Sequence, residues 1–210
     1  MLLKDELQSI ISGTGHVTKE DAIKAIAGYL RKSKKTGADS QEKEFLKEQE
    51  AAAILDYARS HNFLFTDLDT SRYLAEGAEQ KVYLDTDGKH VTKLNDSIFY
   101  AKWEDYFNSL LLPNYFFPAT AYELTGFYHE KDRLFATVRQ PYIISTEPTD
   151  ENAVKELMSL NGFINKKNSD YFNESLGIIL EDLHDENVLT NNGVLFFIDT
   201  VFYLTKDFYS

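Results

Sequence analysis

The sequence predicts an α+β fold in which helices come first and strands follow. Residues 1–62 carry apolar side chains at helical spacing, most clearly in the stripe from Ala22 to Leu30. After Asp67, short β-branched and aromatic runs alternate with turn signals such as Asp85-Thr86-Asp87-Gly88. Near the C-terminus, Asn192-Gly193 separates two further strand-like runs. This order of elements favours helices and sheets that are segregated along the chain.

The N-terminal region, residues 1–66, is predicted to be helical. Thr18-Lys19-Glu20-Asp21 is similar to a capping box and marks the start of one helix. Residues 32–40, which include Gly37, are the best linker candidate. Residues 41–62 are rich in Glu, Lys, Ala and Leu, so we expect a second long helix there.

The middle of the chain reads as three strands, a helix, two strands and a helix. The expected strands are 72–76, 81–84, 90–94, 122–128 and 134–140, and the expected helices are 97–112 and 151–160. The first of these helices should end before Pro113, and Thr149-Asp150 is the candidate cap of the second.

A hairpin is predicted for residues 188–198, with Asn192-Gly193 as a type I′ turn. The register then places Asn187 opposite Ile198 and therefore beside Asp199, while Asp182 lies five residues upstream. Three oxygen-bearing side chains at one spot can bind Mg²⁺ next to a phosphate. The alternative is an Asp- and Asn-rich surface loop between two core strands.

Composition excludes several classes of function. The 210 residues are 43% hydrophobic, which favours a folded chain, and the net charge of −12 disfavours nucleic acid and anionic membranes as partners. The absence of cysteine excludes disulfides and thiolate sites. No apolar run is long enough to cross a membrane and the start does not resemble a signal peptide, so we expect a soluble, cytoplasmic protein.

The order Asp182, Asn187, hairpin, Asp199 resembles the catalytic core of the protein-kinase-like superfamily. The resemblance implies that Asp182 accepts the proton of the attacking hydroxyl, and that Asn187 and Asp199 hold Mg²⁺ on the phosphates of ATP. Two positions depart from the protein-kinase pattern, because Leu180 stands where a His is usual and Thr200 follows Asp199 in place of Phe-Gly.

Residues 67–142 resemble a kinase N-lobe, which implies an antiparallel five-stranded sheet with one helix. Lys93 matches the residue that contacts the ATP phosphates. Glu104 matches the acid that pairs with this lysine, and Asp105 is the less favoured candidate for that role. The alternatives are an exposed lysine on an edge strand and an ordinary solvated acid. Gly77 is the one glycine left in the phosphate-loop position, and Val82 matches the residue that packs on the base.

Gln140-Pro141-Tyr142 fits the hinge that binds the adenine edge in kinases. Since Pro141 has no N–H, Tyr142 is the expected backbone donor, with Gln140 on the other side of the proline.

The chain is also similar to the kinase-like domain of polyvalent proteins of bacterial mobile elements such as phages and conjugative elements. The similarity covers roughly residues 45–203 and consists of separated words in the same order. They are Trp103-x-x-Tyr106, Asn114-x-x-Phe117-Pro118-x-Thr120-x-Tyr122-x-x-x-Gly126-Phe127, Gln140-Pro141, Gly162-Phe163 and Asp182-Leu183-His184-x-x-Asn187.

The leading hypothesis is a minimal kinase-like protein that binds ATP and Mg²⁺ and transfers phosphate to an unknown small-molecule or protein acceptor. Eleven residues follow Asp199, so residues 143–210 are expected to form a truncated C-lobe. The alternative is a pseudokinase-like module that binds nucleotide or a protein partner without turnover. A third hypothesis is a structural protein of a mobile element without a nucleotide site. His184 is interpreted as a hydrogen-bonding residue of the loop.

Overall fold

The computed structural model describes residues 2–33, 43–77 and 80–210, and this part of the chain contains five α-helices and three sheets. The helices are α1 (Leu3–Ser12), α2 (Asp21–Ser33), α3 (Lys43–Ser60), α4 (Trp103–Phe116) and α5 (Glu151–Leu160). The strands are β1 (Leu64–Phe65), β2 (Tyr73–Glu76), β3 (Gln80–Leu84), β4 (His90–Asn95), β5 (Glu123–Glu130), β6 (Arg133–Pro141), β7 (Ile164–Lys167), β8 (Asp170–Asn173), β9 (Ile178–Glu181), β10 (Val188–Asn191), β11 (Val194–Phe197) and β12 (Val201–Leu204). Most of the predicted linker 32–40, and Ala78 and Glu79 of the predicted phosphate loop, lie outside the described residues.

The chain divides into two compact units. The first comprises Met1–Thr18, Leu112–Ala121 and Ile143–Ser210, and the second comprises Lys19–Leu111 and Tyr122–Tyr142. Helix α1 therefore belongs with the C-terminal strands, whereas α2 and α3 belong with the strands of the middle region. The division into regions 1–66, 67–142 and 143–210 stays a prediction.

The second unit contains one sheet with the strand order β1-β5-β6-β4-β3-β2. The five predicted strands are present as β2 to β6 and pair antiparallel, but a sixth strand, β1, pairs parallel with β5. The close approach of β1 depends on Gly126, whose φ is +154° and where an added Cβ would lie 2.6 Å from the carbonyl oxygen of Phe63. A two-residue strand carries no periodicity, which is why the sequence predicts five strands.

Helix α4 differs from its predicted bounds of 97–112 at both ends. It begins at Trp103, and the predicted first residue, Ser97, lies in a turn, where its φ is +55° and its N–H donates to Asn95 Oδ1 at 2.7 Å. It also continues through Pro113 to Phe116, and the Phe117 N–H donates to the Pro113 carbonyl at 2.7 Å. The expectation that the helix ends before the proline is therefore wrong.

The first unit joins the two ends of the chain. Lys4 and Gln8 of α1 donate side-chain hydrogen bonds to the carbonyls of Asp207 and Phe208 in the final 3-10 turn, Lys206–Tyr209. Its four-stranded antiparallel sheet has the order β12-β9-β8-β7, and β10 and β11 form a separate hairpin. Helix α5 has the predicted bounds, and Asp150 caps it by accepting the Asn152 N–H at 2.8 Å.

None of the helices within residues 2–33, 43–77 and 80–210 combines the length and the hydropathy that a membrane crossing requires.

Candidate functional site

The predicted hairpin is present with the predicted register. Asn191 pairs with Val194, and Asn192 and Gly193 have φ of +49° and +76°, as a type I′ turn requires. The pairing continues past β11, because the Ile198 N–H donates to the Asn187 carbonyl at 2.9 Å. Asn187 is therefore opposite Ile198, and Asp199 is the next residue along the chain.

The tip of this hairpin is held by the segment that precedes α5. The N–H groups of Asn192 and Gly193 donate to Thr146 Oγ1 at 2.8 Å and to Glu147 Oε1 at 2.7 Å. The Thr146 N–H donates in turn to the Thr190 carbonyl at 2.9 Å. The turn is thus fixed by side-chain acceptors as well as by its own residues, a contact between distant residues that no local sequence signal indicates.

Asp182 and Asn187 meet in the loop that connects β9 to the hairpin. The Asn187 side-chain Nδ2 donates to the Asp182 carbonyl at 3.0 Å. Asp182 has φ of +64°, a left-handed conformation that Asp tolerates better than most residues, and its N–H donates to Asp170 Oδ1 at 3.3 Å. Nothing in the sequence indicates this contact with Asp170, because β7 and β8 lie in a stretch for which the sequence predicts no strand.

His184 lies beside the Asn187 amide. Its Nε2 lies 3.2 Å from Asn187 Nδ2, so the two amide protons are directed at Nε2 and at the Asp182 carbonyl. Nε2 accepts from Asn187 in the tautomer that carries the ring proton on Nδ1, and Nδ1 accepts the Glu186 N–H at 3.3 Å in the tautomer that carries it on Nε2. With Nδ2 engaged, Oδ1 is the amide atom left to bind a cation.

Carboxylates surround this loop. Burial raises the pKa of Glu181, and the nearby charges of Asp170 and Asp182 raise it further. Within the described residues, no group of three or more His, Cys, Asp or Glu side chains could hold a metal ion. The donor set expected here is instead one amide oxygen, Asn187 Oδ1, with one or two carboxylates. It suits Mg²⁺, which keeps other positions for water and phosphate oxygens.

In the second unit, Lys93 lies on β4 between β3 and β6 and is only 4% exposed. It pairs with Val82 on one side and Val138 on the other, so both of its cross-strand neighbours are apolar. Its Nζ lies 5.4 Å from the centroid of the Tyr122 ring. The alternative of an exposed lysine on an edge strand is therefore wrong.

The hinge-like residues share this sheet but differ from the expectation in one respect. Gln140 is buried and pairs with Val91, which places it on the same face as Lys93. The Tyr142 N–H, however, donates to the Lys89 carbonyl at 2.8 Å, since the pairing of β6 with β4 extends one residue past Pro141. The backbone donor that the sequence assigns to adenine is thus already engaged.

Glu104 lies in the first turn of α4, where it contacts the N-terminal helices. Its Oε1 is 3.2 Å from Arg31 Nε of α2, and its N–H donates to Glu50 Oε2 of α3 at 3.3 Å. No sequence signal indicates either contact, because both join positions that are distant along the chain. The pairing of Glu104 with Lys93 stays a prediction.

Gly77 lies between β2 and β3, as the sequence predicts for the phosphate-loop position. Its N–H donates to the Gln80 carbonyl at 2.8 Å and closes the turn. This N–H is engaged within the hairpin itself.

A sequence model of the family described as serine/threonine/tyrosine kinase found in polyvalent proteins matches residues 47–206. The match spans about three quarters of the chain and includes every predicted site residue from Gly77 to Asp199. No curated protein and no solved structure gives a match.

Proposed function

Because this chain belongs to the kinase family found in polyvalent proteins, we propose that it binds ATP with Mg²⁺ and transfers the γ-phosphate to an acceptor hydroxyl. The observation that carries the proposal is the hydrogen bond from Asn187 Nδ2 to the Asp182 carbonyl in the loop before the hairpin. Asn187 also pairs with Ile198, and Asp199 is the residue after Ile198. The acceptor is a small molecule or a protein.

In the first unit, Asp182 accepts the proton of the acceptor hydroxyl. The hydroxyl oxygen bonds to the γ-phosphorus, and the bond between the γ-phosphorus and the ADP oxygen breaks. Asn187, through Oδ1, and Asp199 hold Mg²⁺, which neutralises charge on the phosphates. Phosphoryl transfer requires mainly positioning and charge stabilisation, and the donor set on this hairpin supplies both.

In the second unit, Lys93 binds the phosphates, with Glu104 as the residue that orients it. Val82 packs on the base and Gly77 lies at the phosphate loop. Gln140 and Tyr142 flank the adenine. Since the Tyr142 N–H is engaged with Lys89, Tyr142 contributes through its carbonyl or its side chain.

One observation favours a second candidate function, a pseudokinase-like module that binds nucleotide or a protein partner without turnover. Gly77 is the only glycine of residues 76–82, and its N–H is already donated to Gln80. A phosphate loop usually offers several free N–H groups to the phosphates.

The two functions separate on the Asp182→Asn variant. We expect phosphate transfer from γ-labelled ATP to fall by about 100-fold or more, because the proton acceptor is lost, while the ATP affinity in Mg²⁺ stays within about threefold. Asp185 is an exposed acid of the same loop, so Asp185→Asn is the matched control and should keep both the phosphate transfer and the ATP affinity of wild type. Turnover that is equal in wild type and Asp182→Asn would rule out phosphotransfer by this site and leave the pseudokinase-like function.

A further inference from the structure

The backbone of Asp182 is held on both sides of its Cα. Its N–H donates to Asp170 Oδ1 at 3.3 Å, and its carbonyl accepts Asn187 Nδ2 at 3.0 Å. The residue is exposed, and its own carboxylate accepts no hydrogen bond from the residues that the structure describes. The backbone is thus fixed while the carboxylate stays open to a substrate, which is the arrangement that a general base requires.

The pairing between β8 and β9 slips by one residue at Asp182. Tyr171 pairs with Leu180, so a regular ladder would place Ser169 opposite Asp182. The Ser169 carbonyl instead accepts the N–H of Leu183 at 3.0 Å, one residue further along the chain. Asp182 is therefore an extra residue in the pairing, as in a β-bulge, with φ of +64°. A side chain, rather than a ladder carbonyl, accepts its N–H.

The turn between β7 and β8 does not use the Asp170 carboxylate. Asn165 Nδ2 holds this turn by donating to the carbonyls of Asn168 and Asp170, at 2.8 and 3.1 Å. Asn168 supplies the left-handed residue of the turn, with φ of +48°. The backbone of Asp170 belongs to the hairpin, whereas its Oδ1 contacts the neighbouring loop. The carboxylate can therefore be removed while the contacts that form the turn remain.

A carboxylate at position 170 also has an electrostatic cost. Burial raises the pKa of Glu181, and the charges of Asp170 and Asp182 raise it further. An asparagine at position 170 could accept the same N–H without adding this repulsion. The position therefore allows the hydrogen-bond acceptor and the charge to be tested separately.

We propose that Asp170 is a positioning residue for phosphoryl transfer and holds Asp182 in its left-handed conformation through the Asp182 N–H. This inference rests on the proposed function, in which Asp182 is the proton acceptor. Asp170 acts through the backbone of Asp182, and the required property is the acceptor oxygen rather than the charge.

Kinetics of phosphate transfer from ATP separate these two properties. Asp170→Ala removes the acceptor, and kcat should fall by about tenfold or more while the KM for ATP stays within about threefold, because a displaced base slows the chemical step alone. Asp170→Asn keeps an acceptor oxygen and should keep at least about a third of the wild-type kcat. Glu174→Ala, at an exposed position after β8, is the control and should match wild type within about twofold.

The Asp182 amide proton reports the contact without any turnover. Its exchange with solvent, measured by NMR on the full-length protein, should be about tenfold or more faster in Asp170→Ala than in wild type, Asp170→Asn and Glu174→Ala. Circular dichroism establishes which variants fold. Asp170→Val also removes the acceptor but favours a strand, so it takes the place of an alanine variant that does not fold.

Equal exchange of the Asp182 amide in wild type and in a folded variant without the acceptor would overturn the proposal, and so would equal kcat. A loss of kcat in Asp170→Asn as large as that in Asp170→Ala would also overturn it, because the charge would then be the required property. If the wild type transfers no phosphate, the proposed function fails, and the amide exchange still decides whether Asp170 holds Asp182.

Discussion

The side-chain amide of Asn187 has one orientation in which both of its protons are used. The Asp182 carbonyl at 3.0 Å decides which end of the amide carries nitrogen, and His184 Nε2 at 3.2 Å takes the second proton in the tautomer that carries the ring proton on Nδ1. His184 is therefore a positioning residue for the metal-binding oxygen that we propose, and it acts through Asn187.

This arrangement predicts a graded effect of substitutions at His184. His184→Ala should raise the Mg²⁺ concentration needed for ATP binding by about tenfold or more, because a group that orients a ligand is lost. His184→Gln should restore most of the affinity, since Gln Oε1 can accept the same proton. Calorimetric titration of Mg²⁺ at fixed ATP measures both. If the alanine variant has the wild-type Mg²⁺ requirement, His184 does not position Asn187.

Glu181 gives the fold a specific pH dependence. Its pKa is raised above the ordinary value of 4.5, so the folded state holds this proton more tightly than the unfolded state. Its contribution to stability is fully present below pH 4.5 and is lost as the pH rises through the raised value.

Glu181→Gln should therefore increase the free energy of unfolding at pH 7 by roughly 0.5 kcal/mol, and the gain should vanish near pH 4. Denaturant unfolding at several pH values measures this difference. Glu174→Gln, at an exposed position, is the control and should show no such trend. A gain that is the same at pH 4 and pH 7 would rule out an electrostatic origin.

At the scale of single elements, the β10–β11 hairpin depends on the left-handed backbone of Gly193. A Cβ added there meets no atom within 4 Å, so Gly193→Ala is predicted to cost about 1 kcal/mol through conformation alone. Hydrogen exchange of the amides of β10 and β11 reports the loss.

Gly28 is the matched control for this substitution. It lies within α2, and a Cβ there also meets no atom within 4 Å. Gly28→Ala should stabilise the second unit by up to about 1 kcal/mol, because alanine is the better helix former. Hydrogen exchange read separately in each unit distinguishes the two effects. If both substitutions destabilise equally, the cost at Gly193 is not conformational.

The elements that the sequence predicts well are those with local signals. Asn192-Gly193 defines its turn through the φ values that its residues tolerate, and Asp150 caps α5 through a contact two residues away. Strands β7 and β8 have no such signal, since β7 is short, polar and exposed. Pro113 inside α4 shows the same limit, because tertiary packing outweighs the local cost of a proline.

At the scale of the whole molecule, Lys93 lies on an inner strand beside apolar neighbours, as the resemblance to a kinase N-lobe implies. Two other contacts are not predictable in this way: Glu104 contacts Arg31, and the Tyr142 N–H donates to the Lys89 carbonyl. They arise from the packing of elements that are distant in sequence, and no spacing within one element reports them. The family match covers Lys93, Glu104 and Tyr142 and supports the roles that we propose for them.

Calorimetric titration of ATP into wild type and Asp199→Ala, each with and without Mg²⁺, tests whether the hairpin is a metal–nucleotide centre. We expect Mg²⁺ to strengthen ATP binding to wild type and to the control Asp185→Ala. In Asp199→Ala the affinity should fall by about tenfold or more, and the Mg²⁺ dependence should disappear. Equal, Mg²⁺-dependent affinity for ATP in wild type and Asp199→Ala would show that this hairpin does not hold the metal.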